Sequence, residues 1–273
     1  MSAVAPAAGA RASVAGPWGM AVRALRWWLA RYRRTWRGSI SSVVLTPVLY
    51  LGAMGVGLGS LVDKHGTASL GGISYLAFLA PGLMAAAAMQ TAAGESMYPV
   101  FAAVKWQQTY QAAAATPLRP GDLYRGHLMF TTLRLTMNMT IFLAIMAAFG
   151  VVRSPWMLAG VPVAVLTGLA FAAPLDAFAV TPKNDQPFNV VFRFGMIPLF
   201  LFSGTFFPIT QLPAWIRPVA YVTPLWHGVA LCRALNSGAP DFVGALGHVG
   251  YLVAVIALGL VAGPVTYGRR LHV

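Results

Sequence analysis

The sequence predicts an all-α membrane protein: six transmembrane helices preceded by an amphipathic interfacial helix, with short re-entrant or interfacial helices before the last span. Three observations predict it. Hydrophobic residues make up 58% of the 273 and charged residues only 9%, against about 25% charged in a soluble domain, and the mean hydropathy is +0.68. Six apolar stretches approach or exceed the roughly 20 residues that cross a hydrocarbon core. The 19 Lys and Arg outnumber the 6 Asp and Glu, and they gather beside those stretches, where basic residues set topology and meet anionic membrane lipids. That placement argues against a nucleic-acid partner, although the formal charge is +13.

Residues 1–17 are rich in Ala, Gly and Pro and lack the apolar core of a signal peptide, so a disordered cytoplasmic tail is expected there. In residues 18–38, Trp18, Val22, Leu25, Leu29, Tyr32 and Trp36 recur at intervals of four and three, which traces one helical stripe. Arg23, Arg26, Arg33, Arg34 and Arg37 lie largely off it, and Trp28 adds to the aromatic content. Such a helix belongs in the inner membrane interface. The six-span domain then occupies 39–268, with apolar stretches near 41–62, 73–101, 126–149, 156–180, 188–207 and 248–267, and a short cytoplasmic tail at 269–273. Pro or Gly interrupts most of the spans, which membrane helices tolerate when neighbours resatisfy the freed backbone groups.

Two connections exceed simple turns. In the cytoplasmic segment 102–125 a helix is expected from about 106 to 115, ended by Thr116 and Pro117 and braced by Pro120. Trp106 and Tyr110, four residues apart, then share a face. In the external segment 208–247, Pro and Gly cut apolar sequence into pieces of about ten residues, too short to span, which should lie at or dip into the outer interface. With the N-terminus inside, thirteen Lys and Arg fall on the cytoplasmic side and four outside (Lys64, Arg153, Arg217, Arg233), with Arg134 and Arg193 in spans. The positive-inside rule thus predicts a multi-pass protein with both termini cytoplasmic.

Catalytic chemistry is sought and not found. The single Cys232 excludes an internal disulfide and a cysteine zinc site, and the five histidines show no metal-ligand spacing, so no cofactor or metal is expected. A P-loop needs a Gly-Lys pair, whereas Lys64, Lys105 and Lys183 follow Asp63, Val104 and Pro182. Charges inside spans cost about 2.5 to 3.5 kcal/mol at a helix centre, so Glu95, Arg134, Asp176 and Arg193 are candidates for a relay or, equally, for capping and mutual pairing. Trp27, Trp28, Trp106, Trp156, Trp215, Tyr221, Trp226 and Tyr267 sit at predicted span ends and connections, as an interfacial aromatic belt would.

Three stretches carry a family resemblance: YLAFLAPGLMAAAAM at 75–89, ATPLRPGDLYRG at 115–126, and LFSGTFFPITQLPAWIRPVAYVTPLWHGVALCRAL at 201–235. The last is the most specific, through Ser203-Gly204, Phe207-Pro208, Leu212-Pro213, Pro224-Leu225 and His227 with Arg233. With the basic helix and the cytoplasmic segment, the chain from about residue 18 to 267 resembles the ABC-2 family of ABC-exporter permeases, nearest the branch of nodulation lipo-oligosaccharide exporters. The resemblance implies a plasma-membrane export permease that performs no catalysis and pairs with a second permease copy or paralogue. It further implies coupling to a separate P-loop ATPase, which binds the ATP, through the segment holding Lys105, Trp106, Gln107, Tyr110, Thr116, Pro117 and Arg119. Substrates of this family's kind are drugs, polysaccharides or lipid-linked sugars. The alternative is a polytopic membrane enzyme acting on lipid or glycan, and the absence of a convincing nucleophile, metal set or carboxylate pair separates the two.

Overall fold

A computed structural model describes residues 17–64, 72–239 and 241–271, apart from the side chains of Pro17, Trp18, Ser42 and Val56. The expected tail at 1–17 lies almost wholly outside that set, as does the end of the 269–273 tail. The described chain is all-helical, with no strand among the described residues. Helix α1, Pro17–Tyr50, runs on through a π-helical stretch, Leu51–Leu58, into α2, Gly59–Lys64. No break separates the basic region from the first apolar span, because Gly38 and Ser39 supply no turn where a boundary was expected. Helices α3, Tyr75–Ser96, and α4, Tyr98–Lys105, follow as one apolar run bent at Met97. After a short α5, Thr109–Ala114, come α6, Pro120–Ala148, and α7, Gly160–Ala179.

Among the described residues, five helical runs are long and apolar enough to cross a membrane: Gly19–Lys64, Tyr75–Lys105, Pro120–Ala148, Pro155–Ala179 and Phe242–Leu271. The stretch expected as the fifth span is a shorter apolar run, Gln186–Phe202, built from α8 (Gln186–Val190), a π-helical turn and α9 (Ile197–Phe202). It stops five residues short of the expected end because Gly204 takes a left-handed backbone, φ 85°, that turns the chain. Beyond it lie a 3₁₀ turn, Ile209–Gln211, and helices α10 (Arg217–Tyr221), α11 (Pro224–Ser237) and α12 (Phe242–Leu271).

Helix α3 is the centre of the bundle and is buried along most of its length. It packs on α6, α7 and α11, while α7 lies against α12. Lipid tails are as apolar as leucine, so close backbone approach and hydrogen bonds hold such helices together. Two glycines show this. At Gly126 a Cβ would fall 2.5 Å from the Ala24 Cβ and 2.7 Å from the Ala21 carbonyl, so α6 touches α1 backbone to backbone. At Gly263 a Cβ would strike the Tyr124 ring, whose hydroxyl reaches the carbonyls of Ala173 at 3.0 Å and Gly259 at 2.7 Å, joining α6, α7 and α12. Replacing Gly126 with Val should therefore prise α1 from α6 and destabilise the protein by about 1–3 kcal/mol. Thermal unfolding of the purified chain checks this, with Gly250→Ala, where a Cβ meets nothing within 4 Å, as the neutral control.

Within residues 18–38 the line of α1 that faces the bundle is Ala21, Ala24 and Trp28, and Trp36 at the end of the apolar stripe is exposed. The line is set by the contact with Gly126, where only alanine-sized residues fit. Trp28 and Tyr267 are buried at 3% and 0% exposure instead of sitting in an interfacial belt, because both pack into the cluster described next.

Candidate functional site

The segment 102–125 forms an elbow. The amides of Trp106 and Gln107 both donate to the Ala102 carbonyl, at 3.0 and 2.8 Å, which tightens the end of α4. Gln108 then takes a left-handed conformation, φ 52°, unusual for a residue with a side chain. This corrects the single helix expected over 106–115 and its shared Trp106–Tyr110 face. The turn sends the two side chains opposite ways: Trp106 is 63% exposed, with its ring edge on Phe101 at 5.5 Å, and Tyr110 is 2% exposed. Gln111 donates to the Val104 carbonyl and Thr109 to that of Ala103 at 3.2 Å, so α5 is strapped back onto α4. Thr116 closes α5 by donating to the Ala113 carbonyl at 2.6 Å. Arg119 opens α6, its amide donating to Asp122 at 3.2 Å. Lys105 is half-buried, while Gln107, Thr116, Pro117 and Arg119 are exposed.

Tyr110 plugs the elbow into the bundle. Its ring lies 6.5 Å from Trp28 of α1 and 5.9 Å from Tyr267 of α12, and Arg31 of α1 donates to Gln107 at 2.9 Å. Burial pushes the Tyr110 phenol well above its ordinary pKa, so it stays neutral. Trp28 stacks on Phe130 at 5.4 Å and touches His127 at 4.4 Å. His127 Nδ1 is 2.9 Å from Asp176 Oδ2, with both side chains fully buried. The cluster thus joins the elbow to α1, α6, α7 and α12. His127 was not among the sequence candidates. The signal was present in Asp176, since a carboxylate inside a span requires a partner, and spans three and four offer few. The basic residues Arg23, Arg26, Arg33 and Arg34 of α1 stay exposed.

Of the other in-span charges, Glu95 of α3 accepts from Arg134 of α6 through Nη2 at 2.8 Å and Nε at 3.0 Å. Arg134 also lies over the Tyr32 ring at 4.4 Å. It stands fourteen residues past Pro120, about 21 Å along α6, well inside the helix and away from both of its ends. Arg193 belongs to neither pair and is exposed on the π-helical turn. Beside the Glu95–Arg134 pair, residues of α1, α3, α6 and α9, Gly94 among them, line a cavity of about 300 Å³. Gln90, Thr91, Glu95, Arg134 and Asn138 give it a polar end, and Pro47, Tyr50, Leu83, Phe142 and Phe200 an apolar wall.

At the opposite end of the bundle α11 is packed inward, burying Leu225, Val229 and Cys232. Arg233 donates to the Phe78 carbonyl at 3.2 Å and the Thr205 carbonyl at 2.8 Å, and lies 3.7 Å from the Phe78 ring. Asn236 donates to Val151 at 3.2 Å. Ser203, buried beside Gly204, shares a 3.0 Å hydrogen bond with Thr205. His227 stacks on Tyr251 at 4.0 Å and reaches His248 at 2.7 Å. Leu212 is buried, Phe207, Pro208 and Pro224 are half-buried, and Pro213 is exposed. Arg233 therefore clamps α11 to the first turn of α3 and Asn236 clamps it to the connection after α6, parts the sequence reading did not assign to either residue.

An all-helical bundle with several helices long and apolar enough to cross a membrane, a cavity among them and an exposed elbow at one end has the architecture of a polytopic membrane protein. The comparisons with known proteins identify which kind. The ABC-2 type transporter model matches residues 23–235. Nodulation protein J of Rhizobium leguminosarum bv. trifolii is 32% identical over 252 residues, 89% of this chain and 94% of its own length. Nodulation protein J of Rhizobium meliloti is 30% identical over 84% of this chain and 86% of its own. The inner membrane transport permease YadH of Escherichia coli is 23% identical over 73% of this chain and 76% of its own. The chain belongs to the ABC-2 type transporter family, as a transmembrane permease subunit of the ABC-exporter kind.

Proposed function

We propose that this permease exports an amphiphilic compound, lipid-linked or oligosaccharide-like in character, across the plasma membrane, driven by a separate P-loop ATPase and working as a dimer with a second permease copy or paralogue. In this reading the Gln186–Phe202 run is the sixth crossing, both termini are cytoplasmic, and the basic face of α1 lies on the inner leaflet. The likeness to nodulation protein J supports an amphiphilic cargo, and the mixed lining of the membrane cavity suits one. The observation that carries the proposal is the elbow. It presents Trp106 outward as the one large exposed aromatic of 102–125, while Tyr110 fixes the same elbow to four span-forming helices through the Trp28 cluster. A partner gripping Trp106 therefore pulls on the bundle, not on a loose loop.

An enzymatic role gains nothing from the geometry, since the His127–Asp176 pair is fully buried and no substrate reaches it. Replacing Trp106 with Ala removes the docking anchor, at a cost of about 2 kcal/mol or more, which is roughly a thirtyfold loss of affinity. Co-purification of the ATPase with the membrane-inserted variant checks this. Undiminished capture would place ATPase docking elsewhere.

A further inference from the structure

The end of the bundle away from the elbow holds a second cavity, of about 230 Å³, lined by two arginines and by no acid: Arg153, in the connection after α6, and Arg233 of α11. The side of the membrane to which the sequence assigns this end carries only four of the 19 basic residues, Lys64, Arg153, Arg217 and Arg233. Two of those four meet at one cavity. Arg217 is engaged within its own loop, donating to the Leu212 carbonyl at 2.8 Å. The two acids of this end, Asp63 and Asp241, accept from the amides of Tyr75 at 2.9 Å and Val243 at 3.1 Å. Among the described residues neither Arg153 nor Arg233 stands in an ion pair. A guanidinium withdrawn from water without an anion is costly. Arg233 offsets part of that cost through the carbonyls of Phe78 and Thr205, which occupy part of its donor set and leave its charge in place.

The cavity is held in shape by the protein's own hydrogen bonds. Asn236 accepts from the Arg153 amide at 3.1 Å and donates to the Val151 carbonyl at 3.2 Å, which fixes the root of Arg153 against α11. Ile73, Phe78 and Pro81 form its apolar side. A guanidinium is a planar fork matched to two oxygens of a phosphate, and two of them together favour an oxyanion over a neutral hydroxyl and repel a cation. We infer that this cavity binds an oxyanion of the phosphate class, carried on a lipid head group or free in solution, with Arg153 and Arg233 as the groups that hold it. The apolar side favours the lipid-borne form, whose carbon substituents bare phosphate lacks. A bound anion joins the connection after α6 to α11, so occupancy strengthens the clamp that Arg233 and Asn236 already make. The inference goes beyond the export reading and holds whichever compound the permease moves.

The test uses the full chain in dodecyl maltoside, a detergent without phosphate, at constant ionic strength. Thermal unfolding is followed against three added probes: dioctanoyl phosphatidylglycerol, dioctanoylglycerol, which has the same chains without the phosphate, and sodium phosphate. A ligand that binds only the folded chain raises the unfolding temperature with its concentration, and the titration yields an affinity. Saturable stabilisation by phosphatidylglycerol is expected. Arg153→Gln should weaken it at least about tenfold, the factor that one charge-assisted hydrogen bond supplies. This residue is exposed, and its amide bond to Asn236 survives the change. Lys64→Gln, which removes the same charge from the same end outside the cavity, should leave the affinity unchanged. Stabilisation by sodium phosphate with the same Arg153 dependence assigns the site to the free anion, and phosphatidylglycerol acting alone assigns it to the lipid. Equal stabilisation by the two lipids, showing an apolar groove only, overturns the inference. So do equal affinities in the parent and Arg153→Gln, an equal loss in Lys64→Gln, and stabilisation by neither phosphatidylglycerol nor phosphate.

Discussion

Replacing His127 with Leu should cost the protein about 3–5 kcal/mol of stability, because the change leaves Asp176 buried without its partner. The pair is 2.9 Å apart, both side chains are fully excluded from solvent, and Trp28 closes the other side of the imidazole at 4.4 Å. The double variant His127→Leu with Asp176→Leu removes both polar groups and should recover most of the loss, since replacing a buried pair by apolar residues of similar volume is often neutral. Thermal unfolding of the three purified variants separates the outcomes. If the single and double variants are equally unstable, packing around Trp28 matters more than the pair.

The second large effect concerns Tyr110. Its ring fills a fully enclosed space between Trp28 and Tyr267, and emptying such a site costs about 3–5 kcal/mol. That energy is the attachment of the elbow to the bundle, so Tyr110→Ala should free the elbow while leaving Trp106 exposed on it. The variant should still bind the ATPase yet fail to transmit its movement, the reverse of Trp106→Ala, which should lose the ATPase itself. The division of labour follows from the left-handed Gln108, which turns one aromatic outward and the other inward.

The fold class was legible because hydrophobic runs in a bilayer have no other use, and the family followed from 201–235, where Pro, Gly and aromatic residues recur in a distinctive order. What escaped the sequence was local. Gln108 carries no signal for positive φ of the kind that Gly or Asn gives. Continuity of the helix past Gly38 gave no local signal, because a lone glycine is tolerated inside a helix and does not by itself mark a break. Asp176 was flagged as costly, but its partner lies 49 residues away, and no periodicity connects the two. Ala21 and Ala24 were passed over for larger neighbours because amphipathicity weights bulk, whereas helix contacts in lipid favour small residues.

The central claim is that the state of an ATPase reaches the membrane cavity through the Tyr110 attachment. The direct measurement is maleimide labelling at Gly94→Cys in the Cys232→Ala background, with the ATPase complex either nucleotide-free or trapped with ADP and vanadate. A clear change in labelling rate on trapping, lost in Tyr110→Ala while the complex stays assembled, is the predicted result. A rate that ignores the nucleotide in the parent complex, or that still responds to it in Tyr110→Ala, would contradict the account.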